Sequence, residues 1–456
     1  MALTGKKRKR RLEQLPGTGK KSGWNWIDVQ QSEFETAAVT LFVNFPILEL
    51  PVNLIYDILS RLPLKSICCC RLVCKAFLDL LAQPYFAQLH LAKTSLTTVS
   101  LALQKNIFQQ GLLCFHLLDI DEVSKGAPCS TACHHDICRA RSPSHPCRSL
   151  TTQNADFYFS AREAVIVGSC NGLLCLYYAL QNAYVILNPI LGEYVVSGCL
   201  PSSTPAYTYM NHSGFGFCPG TRQYKIVRFM CVTYVVGSLV FTPETEVMVE
   251  IHTLGSTSWR KIYNVPCPKI QGSFDPLLNG CFHWITTSCN PSDLICSLDL
   301  EKECFKHLPT PRHFSQSYVN KISWITVGIL GGCLCLCYVY EDNLFEAWVM
   351  KDYGVKESWT KDFSITINFY SGLRLEHLNR PIKFLNNGDL WLVSDNSVVS
   401  YSPRAGTFKD FKVLEPWVTE VVVHIPSFIS LKHALQGNNL EVKYLGRARP
   451  AKISVI

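Results

Sequence analysis

Apolar and polar positions change rhythm once along this chain, near residue 110. From Leu50 to Phe86 (LPVNLIYDILSRLPLKSICCCRLVCKAFLDLLAQPYF) they recur at helical spacing. Pro51 suits the first turn of a helix, where its missing N–H costs nothing. After it Leu54, Ile55, Ile58, Leu59 and Leu62 predict a single apolar stripe, and Pro63 stops the helix. Leu64, Ile67 and Cys68 begin a short second turn. Leu72, Val73, Phe77, Leu80 and Leu81 then stripe a third helix that ends before Pro84. Segments below about 40 residues struggle to sustain a core, so three such short helices cannot hide all these side chains among themselves. An uncovered apolar surface of this kind marks a protein interface.

From Leu112–Ile120 onward the rhythm is that of strands. Short runs rich in Val, Ile, Tyr, Cys and Trp alternate with Gly, Pro, Asn and Ser clusters, an all-β pattern. A turn glycine opening a strand recurs at Asn171-Gly172, Asn279-Gly280, Gly331-Gly332 and Asn387-Gly388. The first gap is near twice the others, as though one unit has drifted, and Gly214–Phe229 supplies a hairpin around Pro219-Gly220 inside it. A period near 50 residues with several strands per unit predicts propeller blades, their number left open by the drifted repeat.

Of the formal net charge of +8, Lys6, Lys7, Arg8, Lys9, Arg10, Arg11, Lys20 and Lys21 against Glu13 account for +7, leaving a near-neutral body. That balance argues against general nucleic-acid binding. Lys6–Arg11 is a nuclear-import candidate. The chain start is charged with no apolar region behind it, and no apolar run is long enough to span a bilayer. The expectation is therefore a protein of the nucleus or cytoplasm or both, without a membrane partner, its 22 cysteines reduced thiols.

The segment Leu50–Phe86 resembles an F-box: Leu50-Pro51, Ile58-Leu59 with Leu62-Pro63, and Val73-Cys74-Lys75 match in register, with Ile67 and Phe77 standing where the family usually has leucine and tryptophan. The later part resembles the plant-type F-box-associated domain, related to kelch-like propellers. It does so through Gly168-Ser169-Cys170-Asn171-Gly172-Leu173-Leu174-Cys175, Leu187-Asn188-Pro189, Gly214-Phe215-Gly216-Phe217, Ser258-Trp259-Arg260-Lys261 and the Trp348–Trp359 strand pair. The resemblance implies an α+β multidomain chain. A disordered basic tail spans 1–44, and a small three-helix F-box 45–92. An all-β kelch-like propeller spans 93–435 with a Cys/His insertion at 121–152, and a tail or closing strand spans 436–456. It implies docking on a Skp-type adaptor and, through it, a cullin scaffold, with the propeller presenting an unknown protein target for ubiquitination. Leu50, Pro51, Ile55, Ile58, Leu59, Leu62, Pro63, Leu64, Ile67, Val73 and Phe77 are the expected adaptor surface.

Other chemistry weighs less. Cys129, Cys133, His134, His135, Cys138, His145 and Cys147 are zinc-type ligands, but no Cys-x2-Cys knuckle gives the usual tight turn. A flexible insertion is the expectation, with no metal and no cofactor. Cys333, Cys335 and Cys337 share one strand face and read as core. No nucleophile elbow appears, so the expectation is a non-catalytic subunit. Tyr207, Tyr209, His212, Tyr318 and Tyr370 are target-contact candidates by residue type alone. Two other readings remain: a nuclear regulator acting outside any ligase, and a zinc-dependent protein using the insertion.

Overall fold

The computed structural model describes residues 46–97, 100–107, 112–119, 133–136, 164–178, 182–198, 208–232, 246–269, 277–341, 343–366, 378–384, 389–394, 397–411, 418–435 and 440–444. The predicted basic tail, including Lys6–Arg11, lies outside the described residues. So does most of the 121–152 segment, with Cys129, Cys138, His145 and Cys147.

The chain divides into two units at Ile58/Leu59. The first holds a 3-10 turn at Pro46–Glu49 and most of helix α1 (Val52–Leu59). The Pro51 carbonyl accepts from the N–H groups of Leu54 (2.9 Å) and Ile55 (3.2 Å), so the proline stands where the helix begins.

The second unit opens with helices α2 (Leu64–Val73), α3 (Lys75–Leu81) and α4 (Pro84–Thr97). The division differs from the predicted one. Leu64–Val73 is one continuous helix, because nothing between Leu64 and Val73 breaks it. The break falls at Cys74, whose extended backbone (φ −158°, ψ 165°) ends one helix and starts the next. Pro84 does more than stop α3: it opens α4, a position that tolerates proline.

Six antiparallel sheets follow among the described residues. The first joins β1 (Ser100–Ile107), β2 (Leu112–Asp119) and β3 (Cys133–Asp136) to β24 (Val418–His424). The second is β4 (Ala164–Cys170), β5 (Leu173–Tyr178), β6 (Ala183–Asn188) and β7 (Glu193–Ser197), with β25 (Lys443–Tyr444) added outside β7. The third is β8 (Thr208–Cys218), β9 (Gln223–Val232), β10 (Glu246–Thr253) and β11 (Trp259–Ile262). The fourth is β12 (Leu277–Leu278), β13 (Cys281–Ile285), β14 (Ile295–Asp299) and β15 (Cys304–Leu308). The fifth is β16 (Ile322–Leu330), β17 (Cys333–Tyr340), β18 (Leu344–Met350) and β19 (Trp359–Thr366). The sixth is β20 (Leu378–Phe384), β21 (Leu390–Ser394), β22 (Ser397–Ser402) and β23 (Thr407–Phe411).

Strands nearest the start of each sheet meet those of the next: β24 touches β4, β4 touches β8, β13 touches β16, and β16 touches β20. These are the blades of a propeller. The ring closes through β24, which pairs with β1 from Ser100↔His424 to Lys105↔Val418. Of the two alternatives for 436–456, a tail or a closing strand, the closing role belongs to β24 instead. Among the described residues of that region, 440–444, the edge strand β25 pairs Lys443↔Tyr194, and closure comes earlier in the chain. The insertion is corrected in part as well, since Cys133–Asp136 is the outer strand of the first blade.

Three of the four recurring glycine pairs are the turns between the first and second strands of blades, and Asn387-Gly388 lies outside the described residues. Asn171 and Gly172 (φ 52° and 80°), Asn279 and Gly280 (53° and 73°), and Gly331 and Gly332 (60° and 77°) have positive φ at both central positions. That is the two-residue turn whose twist matches a hairpin's strands. The drifted unit is the third blade, whose β8–β9 hairpin closes at Cys218↔Gln223 around Pro219-Gly220.

In the fourth blade the short turns 279–280 and 300–303 lie at one end, and the longer connections 286–294 and 309–321 leave from the other. Middle strands read as unbroken apolar runs because they are covered on both faces: β6 is buried throughout, and Cys335 and Cys337 of β17 are fully buried with sulfurs 3.5 Å apart. Cores fill the gaps between blades, as where Phe229 of the third meets Trp284 of the fourth edge-on at 5.2 Å.

Candidate functional site

Helix α1 carries two apolar stripes, not one. Ile55 and Leu59 are 3% and 2% exposed, whereas Leu54 and Ile58, also four residues apart, are 48% and 42% exposed. Side chains four apart share a face, so the one-residue offset separates a core stripe from a surface stripe. In the second unit the same split recurs. Ile67 and Phe77 are buried, while Leu72, Val73, Leu78 and Tyr85 stand in water.

The expected adaptor surface is corrected accordingly. Leu50, Pro51, Ile58, Pro63 and Val73 are exposed, and Leu62 and Leu64 are half-buried. Ile55, Leu59, Ile67 and Phe77 are buried in the free chain. Sequence reasoning left out Val52, Leu54, Leu72, Leu78 and Tyr85, all exposed apolar groups. The signal that could have found them is the helical offset: a stripe five residues wide is too broad for one buried face. Cys68 is also core, and burial pushes its thiol up to about 11, so it stays protonated at neutral pH.

At the end of the ring that bears the long connections, the segment 309–321 is held by a polar cluster. It contains a short helix α5 (Gln316–Val319), capped where Ser315 Oγ accepts from Tyr318 N–H. Tyr338 Oη donates to Glu346 Oε2 (2.5 Å), Trp348 Nε1 donates to the same oxygen (3.1 Å), and Lys361 Nζ donates to Oε1 (2.5 Å). Burial pushes the Glu346 carboxyl up, but these three donors outweigh it and hold the group below its ordinary value. His313 Nε2 lies 3.0 Å and Tyr318 Oη 3.2 Å from the Tyr338 hydroxyl. Tyr318 also stacks on Tyr340 at 4.4 Å. Half-buried aromatic rings thus flank an ionised carboxylate whose cation, Lys361, faces solvent.

Tyr318 is the target-contact candidate that falls on this end. Tyr209 and His212 belong to strand β8 and not to a connection. Tyr207 and Tyr370 lie outside the described residues. A cleft of about 700 Å³ opens between the fourth and fifth blades, lined by Pro291, His307, Pro309, Phe314, Val355 and Glu357. Among the described residues no group of His, Cys, Asp or Glu is placed to hold a metal ion, and no helix is long and apolar enough to cross a membrane.

Helices with bare apolar stripes, set ahead of a propeller with long connections at one end, define a binding protein with two separate surfaces. Residues 47–89 match the F-box domain, and residues 129–425 match the F-box associated beta propeller domain. The chain is similar to the F-box protein At3g07870 of Arabidopsis thaliana, 31% identical over 412 residues, covering 82% of this chain and 90% of that protein. It is 26% identical over 326 residues to the F-box/kelch-repeat protein At3g23880 of the same plant, covering 69% and 79%. To the Arabidopsis thaliana F-box protein CPR1 it is 26% identical over 344 residues, covering 69% and 73%. The chain belongs to the plant-type F-box proteins that carry an F-box associated propeller, a family whose role is substrate recognition. An F-box is, in general, a module that binds Skp-type adaptors.

Proposed function

We propose that this chain is the substrate-recognition subunit of a Skp–cullin–F-box ubiquitin ligase. The exposed stripes of the F-box dock on the adaptor, and the long-connection end of the propeller holds the target protein. The chain contributes no catalytic group of its own. It accelerates ubiquitin transfer by holding a target lysine close to a borrowed enzyme.

One observation carries this reading. Leu54 and Ile58, and separately Leu72, Val73 and Leu78, remain in water while Ile55, Leu59, Ile67 and Phe77 are buried. Such a surface gains only when a partner covers it, at roughly 800 Å² per side for a standard interface.

The test is adaptor pull-down with an Ile58→Asp, Leu72→Asp double variant of the full chain. Both positions are exposed, so the thermal unfolding of the propeller should be unchanged while adaptor capture is lost. Capture retained at the wild-type level would reject the assignment.

A further inference from the structure

Segment 425–435 follows the closing strand and belongs to no sheet, yet Ser427, Phe428, Leu431 and Leu435 are as buried as strand core. One side of it is clamped to the second blade. Asn188 Nδ2 donates to the carbonyls of Ser427 (3.1 Å) and Ile429 (2.8 Å), while Asn188 Oδ1 accepts from the N–H groups of Ile190 (2.8 Å) and Leu191 (3.1 Å). That uses the whole donor and acceptor capacity of the amide. Ser427 Oγ donates to the Asn171 carbonyl (2.6 Å). Glu193 accepts from Ser430 Oγ (2.9 Å) and from the Leu431 N–H (2.7 Å). Gly172 is pressed so close that a Cβ there would lie 2.1 Å from Ser427 Oγ and 2.6 Å from its backbone nitrogen.

The other side of the segment meets helices. The Phe428 ring lies edge-on to His90 (5.4 Å between centroids) and tilted against Phe86 (6.3 Å), both on α4. The Arg71 guanidinium of α2 sits 5.5 Å over the same ring. Phe86, His90 and Phe428 are 0%, 1% and 3% exposed, so the contact is a closed one.

Asn171-Gly172 and Asn188 belong to two of the motifs by which the propeller is recognised in the sequence. Their partners in space are residues of this segment, 239 to 256 positions further along the chain. Both motifs lie at the short-turn end of the second blade, away from the long connections.

We propose that segment 425–435 is a strap that locks helices α2 and α4 to the propeller, and that Asn171, Gly172 and Asn188 are its seat, not target contacts. Closure of the ring and attachment of the helices are thereby made by one continuous stretch: β24 completes the first blade and the next residues bind the helices. The consequence for activity rests on the ligase reading above: the strap fixes where a captured target stands relative to α2 and α4.

The experiment is amide hydrogen exchange on the full chain, comparing wild type with Phe428→Ala and Asn188→Ala. Phe428→Ala removes the ring and leaves the strap's hydrogen bonds in place. Exchange of peptides within 84–97 should rise about tenfold or more, the change that about 1.4 kcal/mol of lost local stability produces. Peptides within 173–188 and 333–340 should keep their protection. Asn188→Ala, a change in the second blade, should speed exchange in both 425–435 and 84–97. Unaltered exchange at 84–97 in a folded Phe428→Ala protein overturns the proposal. Should that variant not fold, Phe428→Leu is read in the same way and against the same criterion. Adaptor capture, measured on wild type alongside, tests the ligase reading by itself, and its failure leaves the exchange result standing.

Discussion

Gly172 and Gly332 occupy the same kind of turn and have nearly the same backbone, φ 80° and 77°, but very different surroundings. A Cβ at Gly172 would run into Ser427, whereas one at Gly332 meets nothing within 4 Å. Placing alanine in the left-handed region costs roughly 1–2 kcal/mol at either site. Only Gly172→Ala must also displace a packed backbone, adding about 1–3 kcal/mol in the manner of an overfilled core. Urea unfolding should therefore show Gly332→Ala mildly destabilised and Gly172→Ala destabilised at least about twice as much. Equal shifts in midpoint would mean that the strap yields without resistance. The two glycines look alike in the sequence because turn chemistry is local. Their difference is set by a serine 255 positions away in the chain, which no local pattern reports.

Helix α1 shows how the same limit acts on an element. The helical spacing of its apolar residues, its start at Pro51 and its stop before Pro63 were all legible, since propensity and proline sterics act within a turn or two. Which half of the stripe faces the core was not, because Ile58 and Leu59 are alike in chemistry and adjacent in sequence. The long helix Leu64–Val73 was also misdivided: its three consecutive cysteines carry little helical signal, and Cys74 gives no sign of its extended backbone. Blades fared better. The turn glycines fixed where first and second strands meet, but the edge strand β25 and the role of β24 depend on contacts between opposite ends of the chain. The α1 stripe carries its own prediction. Leu59→Ala, at 2% exposure, should lower the unfolding free energy by about 2–5 kcal/mol through loss of packing. Ile58→Ala, at 42% exposure, should change it by no more than about 0.5 kcal/mol. Comparable losses at the two positions, read from denaturant midpoints, would show that the exposed stripe is covered within the free chain.

Across the whole molecule, buried histidines tie stability to pH. His424 is fully enclosed on the closing strand, with Nδ1 2.9 Å from Ser169 Oγ, and burial pushes its pKa down to about 3 from an ordinary 6.5. His90 under the strap, His252 beside Trp259 and His313 against Trp348 are all shifted down by burial too, though a backbone hydrogen bond (His90, His252) or Glu346 (His313) works against it. For a histidine with a depressed folded pKa, the unfolded chain binds the proton first. Stability is then fully present above about pH 6.5 and is lost as pH falls from there toward the folded pKa. The carboxyl of Glu346, held low mainly by Lys361 against its own burial, acts below the ordinary carboxylate range and leaves the window between pH 7.5 and 5.5 to the histidines. His424 alone should cost about 1.4 kcal/mol by pH 5.5, given 1.36 kcal/mol per pH unit for each proton. Urea unfolding of the full chain at pH 7.5, 6.5 and 5.5 should show a midpoint that drops with acidification. In His424→Asn, which keeps a polar partner for Ser169, the dependence should be shallower by about one proton. The ring closes on this residue, one step before the strap begins. A wild-type midpoint that held steady down to pH 5.5 would therefore mean that the closing strand opens to water more readily than its packing implies.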